Sequence, residues 1–265
     1  MSAHLPAASQ TDQPGVMMQT LTDSAVIFTR QLRPLLRSPM TLVFGVLSPL
    51  VYLGLFGPLL GTLPGAQGES SWEWFVPGIL VLLAMFTCLY AGFAIFGELR
   101  SGAHERMLAT PIRRTALLLG RVGTDVAVLL LQALLILGVM LPVGLRVDAW
   151  GTLLGLLLLL VLGVGLSALS YALAITVQQE YAFAPLLGAV TLPLLLLGGV
   201  LLPMDMAPDW LYVLSRVNPI THVVEAERAL LAGSLTDASV PLGFACAVGL
   251  AVLALVWGAR LLRHP

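Results

Sequence analysis

Six long windows of this chain carry no charged side chain, and they decide what the rest of it can become. They run Ser38–Gly68, Trp74–Gly97, Val126–Leu145, Ala149–Gln179, Tyr181–Met204 and Ala238–Ala259. Crossing the hydrocarbon core of a bilayer takes about 20 apolar residues in a helix. An Asp or Arg at the centre of such a helix costs roughly 2.5 to 3.5 kcal/mol, so charges mark where spans end. Helices are expected near 40–60, 76–97, 124–144, 151–176, 183–203 and 239–260. Hydrophobic residues make up 58% of the 265 and charged ones 10%, too little polar surface for a soluble domain. The expected fold class is an all-α membrane protein with six transmembrane helices.

Charge placement sets the orientation. All the basic residues are Arg, so no phosphate-binding loop ending in Gly-Lys-Ser/Thr exists here. With the N-terminus inside, the inner segments hold Arg30, Arg33, Arg37, Arg100, Arg106, Arg113, Arg114, Arg121, Arg260 and Arg263. The outer ones hold only Arg146, Arg216 and Arg228. The positive-inside rule therefore puts both termini in the cytoplasm. Residues 1–20 are polar, lack a signal-peptide arrangement, and read as a disordered cytoplasmic tail before a membrane domain at 21–265.

Other chemistries find little support. Cys88 and Cys246 are far apart inside apolar runs, and no His, Cys or carboxylate cluster has metal-ligand spacing. Ser167 in Gly165-Leu166-Ser167-Ala168 would need a histidine base, yet His4, His104, His222 and His264 all lie outside the spans. No basic surface with interleaved aromatics points to nucleic acid. Gly57 with Gly61, and Gly151 with Gly155, have the four-residue spacing that lets membrane helices approach closely. Pro49, Pro142, Pro185 and Pro193 mark expected kinks or helix ends.

Three polar segments remain. Residues 21–37 put Phe28 on an apolar face and Arg30, Arg33 and Arg37 largely on another. That pattern fits an interfacial anchor or a platform touching a cytoplasmic partner. Residues 98–121 hold a short helix-forming stretch, Glu105 to Leu108, stopped before Pro111. It reads as a topology signal or as a rigid element docking on a soluble partner. In the third segment, Asn218 is an expected N-cap with Pro219 at the first helical position, and Gly233 terminates the helix. Glu225 and Arg228 are spaced to pair on it, at an interface or partly inserted.

Together these stretches resemble the ABC-2 type exporter permeases, in particular the daunorubicin-resistance (DrrB-like) group with its nodulation and polysaccharide-export relatives. The loop Glu98–Arg121 matches the family pattern through Arg100, Gly102, Glu105, Arg106, Leu108, Thr110 and Pro111. Gly198-Gly199-Val200-Leu201-Leu202-Pro203 with Pro208 and Trp210, and the Asn218–Arg228 helix, complete the match. His104 and Glu227 depart from it. The resemblance implies a permease dimer, homo- or heteromeric, bound to two copies of a separate ABC ATP-binding subunit that carries ATP and Mg. No cofactor is expected on this chain. Within the loop whose coupling residues run from Glu98 to Pro111, Glu105 to Leu108 would be the coupling helix; 21–37, with Phe28, Arg30, Arg33 and Arg37, would be the connecting helix, and 205–233 the outer re-entrant helices.

The expected function is the membrane subunit of an ABC exporter in a bacterial inner membrane, with no enzymatic activity of its own. Its expected cargo is an amphipathic drug, antibiotic or lipid-like molecule, with polysaccharide or lipid-linked glycan as the alternative. An ATP-independent carrier would need intramembrane carboxylates. Only Asp125, at the expected inner edge of the third span, comes near. A non-transporting scaffold would leave the loop and outer charges unexplained.

Overall fold

The computed structural model describes residues 28–29, 39–60, 71–100, 114–201 and 204–261. These are helical nearly throughout, with no strand among them. The first half comprises α1 (Pro39–Leu60), α2 (Ser71–Leu89), α3 (Phe93–Arg100) and α4 (Arg114–Met140). The second half comprises α5 (Ala149–Val177), α6 (Glu180–Leu197), a 3-10 turn at Met204–Met206, α7 (Asp209–Val217), α8 (Pro219–Leu231) and α9 (Ser239–Leu261). Among the described residues, five stretches are long and apolar enough to cross a membrane: Trp72–Gly97, Leu117–Met140, Ala149–Val177, Glu180–Leu197 and Ser239–Leu261. In α1 the corresponding apolar stretch is shorter, Gly45–Gly57.

The middle of the molecule is α5, which packs against α2, α3, α4, α6, α8 and α9. Glycines make those approaches possible. A Cβ on Gly151 would fall 1.8 Å from the Leu230 carbonyl oxygen of α8. One on Gly165 would fall 3.0 Å from the Ala251 nitrogen of α9. Small residues that let backbones meet replace the hydrophobic drive lost in lipid. The Gly151 and Gly155 spacing therefore has its partner in α8. On α1, Gly57 accepts the Trp72 ring and Gly45 accepts the Gln132 amide, which sets α1 against α2 and α4.

Several helix limits differ from the sequence expectation, and three have a visible cause. The fourth helix starts at Arg114 rather than 124, because the buried Arg121 lies near the Tyr171 ring at 5.9 Å instead of ending the helix. The fifth expected span stops at Leu197, ahead of Gly199, whose φ of +66° leaves helical geometry. The second is broken at Tyr90–Gly92. Freed backbone groups at that depth need internal partners. Ser170 of α5 supplies both: its hydroxyl donates to the Leu89 carbonyl and accepts the Gly92 N–H at 2.9 Å. A Cβ at Gly92 would stand 2.7 Å from the Ser170 hydroxyl oxygen, so the bond needs glycine there.

Ser170→Ala should orphan both backbone groups and cost about 1–3 kcal/mol for each. Thermal unfolding of the purified protein in detergent should show a clear drop in melting temperature. An unchanged melting temperature would mean that the break is held by other contacts.

Candidate functional site

On one side of the bundle, α7 and α8 lie among the ends of the long helices without crossing it. Asn218 starts α8: its side-chain oxygen accepts the Ile220 N–H at 3.0 Å, and its amide donates to the Leu194 carbonyl at 2.8 Å. Pro219 fills the first turn, where no N–H is needed. The Thr221 hydroxyl lies 2.9 Å from the Leu197 carbonyl and 2.8 Å from that of Ser215, donating between them. At the other end, the Asp148 N–H donates to the Leu231 carbonyl at 3.1 Å, and Gly233 takes a φ of +82°. The capping expected from the sequence is present at both ends.

The charges on α8 are arranged differently from the expected internal pair. Glu225 accepts from Arg216 of α7 at 2.8 Å. Arg216 also donates to the Tyr212 hydroxyl at 2.8 Å. Arg228 reaches across to α2 and the end of α6. It donates to the Trp74 carbonyl at 3.1 Å and the Gly199 carbonyl at 2.7 Å, with its guanidinium 3.9 Å from the Trp74 ring centre. Helix geometry explains the outcome. Three-residue spacing puts the two side chains on one face, but better acceptors lie on neighbouring elements. Arg228 thereby ties α2, α6 and α8 together beside an open cavity of about 390 Å³.

Two residues beyond Glu225, Glu227 points the opposite way, into the protein. Its carboxyl is fully buried, and neither oxygen has a hydrogen-bond partner among the described residues. Gly155 of α5 makes the room, since a Cβ there would stand 2.7 Å from Glu227 Oε1. Burial pushes the Glu227 pKa up to about 8.

On the opposite side, the described residues contain part of the expected coupling and connecting segments. Arg100 ends α3 and forms an exposed ion pair with Glu180 at the start of α6. Such a pair contributes about 0–1 kcal/mol. Glu98 falls within α3. Gly102, Glu105, Arg106, Leu108, Thr110 and Pro111 lie outside the described residues, as do Arg30, Arg33 and Arg37. Phe28 packs its ring against α4 at Gly123, 3.5 Å from where a Cβ would be.

A third polar cluster lies within the spans. Asp125 is eight residues beyond Leu117, where the apolar stretch of α4 begins, or roughly 12 Å at the helical rise. It is therefore inside the span rather than at its edge. Thr87 of α2 donates to the Gln132 side-chain oxygen of α4 at 2.9 Å nearby.

Residues 23–232 match the ABC-2 type transporter family. The chain belongs to that family. It is 26% identical over 230 residues to the daunorubicin resistance ABC transporter permease protein DrrB1 of Streptomyces coeruleorubidus, covering 85% of this chain and 81% of that one. Identity is 29% over 192 residues to the inner membrane transport permease YadH of Escherichia coli K12, covering 71% and 74%. It is 28% over 214 residues to the putative transport permease ycf38 of Cyanophora paradoxa, covering 79% and 74%. This ABC-2 chain is thus a multi-pass membrane protein similar to transport permeases, and such permeases work with ABC ATP-binding subunits.

Sequence reasoning missed Trp74 and Arg216 as partners of the α8 charges, and it read Glu227 as a minor departure. Only the position of Trp74 at the start of an apolar run, next to Glu73, signalled an interfacial role. For Glu227 the available signal was its place on the apolar side of α8, next to Val223 and Leu230 in the helical repeat.

The buried Glu227 has a measurable consequence. Its folded value of about 8 exceeds the ordinary 4.5, so the folded protein holds a proton that the unfolded chain releases. Stability should be greatest at or below pH 4.5, fall as pH rises to about 8, and level off above. Glu227→Gln should flatten that fall in melting temperature. Equal pH profiles for the two proteins would show that Glu227 is not buried unpaired.

Proposed function

We propose that this chain is the membrane permease subunit of an ATP-driven ABC exporter in a bacterial inner membrane. Six spans, both termini inside, and α7–α8 as re-entrant outer helices form the working unit. The family match over residues 23–232 is the observation that carries the reading. The position of α8 among helix ends, with Glu227 beside Gly155 two turns into α5, supports partial insertion from the outside.

In this reading two permease chains, identical or related, face each other, and each meets an ATP-binding subunit on the inner side. The partner subunits hold ATP and Mg and perform the hydrolysis. Glu98, Arg100, Gly102, Glu105, Arg106, Leu108, Thr110 and Pro111 belong to the segment that receives their motion. Phe28, Arg30, Arg33 and Arg37 form the connecting helix along the same subunit. Phe28 on Gly123 joins that helix to α4, so movement at the inner surface reaches a membrane helix directly. At the outer end, Asn218, Pro219, Glu225 and Arg228 hold the helix that shapes the exit. The cargo is an amphipathic drug, antibiotic or lipid-like molecule, in keeping with the daunorubicin-resistance relative.

One observation favours an ATP-independent carrier as the second reading: Asp125 lies inside a span, where proton-coupled carriers place carboxylates. Dependence of transport on an ATP-binding subunit separates the two. The chain should co-purify with an ABC ATP-binding subunit from its own genome. The double change Glu105→Arg with Arg106→Glu should keep insertion and melting temperature but weaken both capture and export. Capture and export at wild-type levels in that variant would overturn the coupling assignment.

A further inference from the structure

The polar cluster around Asp125 is a poor structural device, and that makes it informative. It sits in a cavity of about 450 Å³ between α1, α2 and α4. Ionisable side chains within spans are costly and are kept mainly where they meet a partner, water or a ligand. Among the described residues lining this cavity, Asp125 is the one that carries a charge. Its Oδ2 is buried with no hydrogen-bond partner among the described residues. The hydroxyls of Tyr171 and Ser167 on α5 lie beside the carboxyl, and Arg121 one turn earlier on α4 offsets part of its charge. Asp125 itself lines the cavity. Thr87 stands across from it, and Thr124 beside it donates its own proton to the Gly120 carbonyl at 3.0 Å, leaving an oxygen free to accept. Leu83, Phe86 and Val128 supply an apolar wall, while Ser48 and Phe86 are exposed at the mouth.

We infer that this cavity is a binding subsite for an amphipathic organic cation with N–H donors on its charged nitrogen, that nitrogen bound by Asp125 and the apolar body against Phe86. The chemistry follows from the lining. One carboxylate with hydroxyl acceptors around it favours a charged donor, because hydrogen bonds to an ionised group are about twice as strong as neutral ones. A wall of Leu, Val and Phe favours an attached apolar body over a bare ion. The inference refines the exporter reading by naming the charge class of its cargo and the side chain that selects it.

Binding is testable without hydrolysis, which keeps this inference separable from the exporter reading. The full-length protein in lipid nanodiscs would be titrated with rhodamine 6G, a fluorescent cationic amphipath, and with Nile red, a neutral one, followed by anisotropy. Asp125→Asn should weaken rhodamine 6G by about tenfold or more while leaving Nile red unchanged. Ser48→Leu, an exposed mouth position that leaves Asp125 and Arg121 intact, should block rhodamine 6G by filling the entrance. No saturable rhodamine 6G binding to the wild type overturns the proposal. So does equal affinity in the wild type and both variants. If the protein still captures an ATP-binding subunit after either overturning result, the subsite falls and the exporter reading stands. If selective binding of the cation is seen without such capture, the exporter reading falls and the subsite stands.

Discussion

A bilayer offers no hydrogen bonds, so every polar group this chain places at depth has to find its partner inside the protein. That requirement explains why α5 is the structural centre. Its Ser170 serves both backbone groups freed at the α2–α3 break, one as donor and one as acceptor. A break in a span is otherwise a defect. Here it is what lets α3 leave the line of α2 and end at Arg100, next to the start of α6. The loop that follows, where the coupling element is expected, takes its starting point from that one hydroxyl.

The same constraint sorts the carboxylates. Glu225 meets Arg216, Asp148 caps α5 by accepting the Gly151 N–H at 2.7 Å, and Glu180 meets Arg100. Glu227 stands apart from these, packed against Gly155 with neither oxygen bonded among the described residues. An uncompensated buried charge is destabilising, so the side chain keeps its proton instead. A chain that tolerates such a group at the α5–α8 contact has a weak point between its outer helix and its central one. Gly151 and Gly155 bring the two backbones close, and Glu227 limits how firmly they hold.

Much of the helix placement was legible in the sequence because charge is a strong boundary signal when insertion is costly. The window that opens at Ala149 begins at the observed start of α5, and the one that opens at Ala238 begins one residue before that of α9. The signal failed where a charge was accommodated within a helix. Arg121 and Asp125 suggested an edge but lie within α4, for tertiary reasons no local pattern contains. At the outer side, Asn218, Pro219 and Gly233 were readable because capping is local chemistry. The partners of Glu225 and Arg228 were not, because Arg216, Trp74 and Gly199 meet them only after α2, α6, α7 and α8 have assembled.

That assembly joins the same two spans at both of their ends. Arg228 bonds to Trp74 at the start of α2 and to Gly199 beyond the end of α6, so α8 is fastened to both. The far ends of the same two spans meet again through Arg100 and Glu180. The Arg100–Glu180 contact is exposed and weakly held. The Arg228 contact is a partly buried clamp of two hydrogen bonds and a cation–aromatic stack. The clamp is therefore the stronger of the two links between these spans, and it fixes α8 to α2 and α6 as one group.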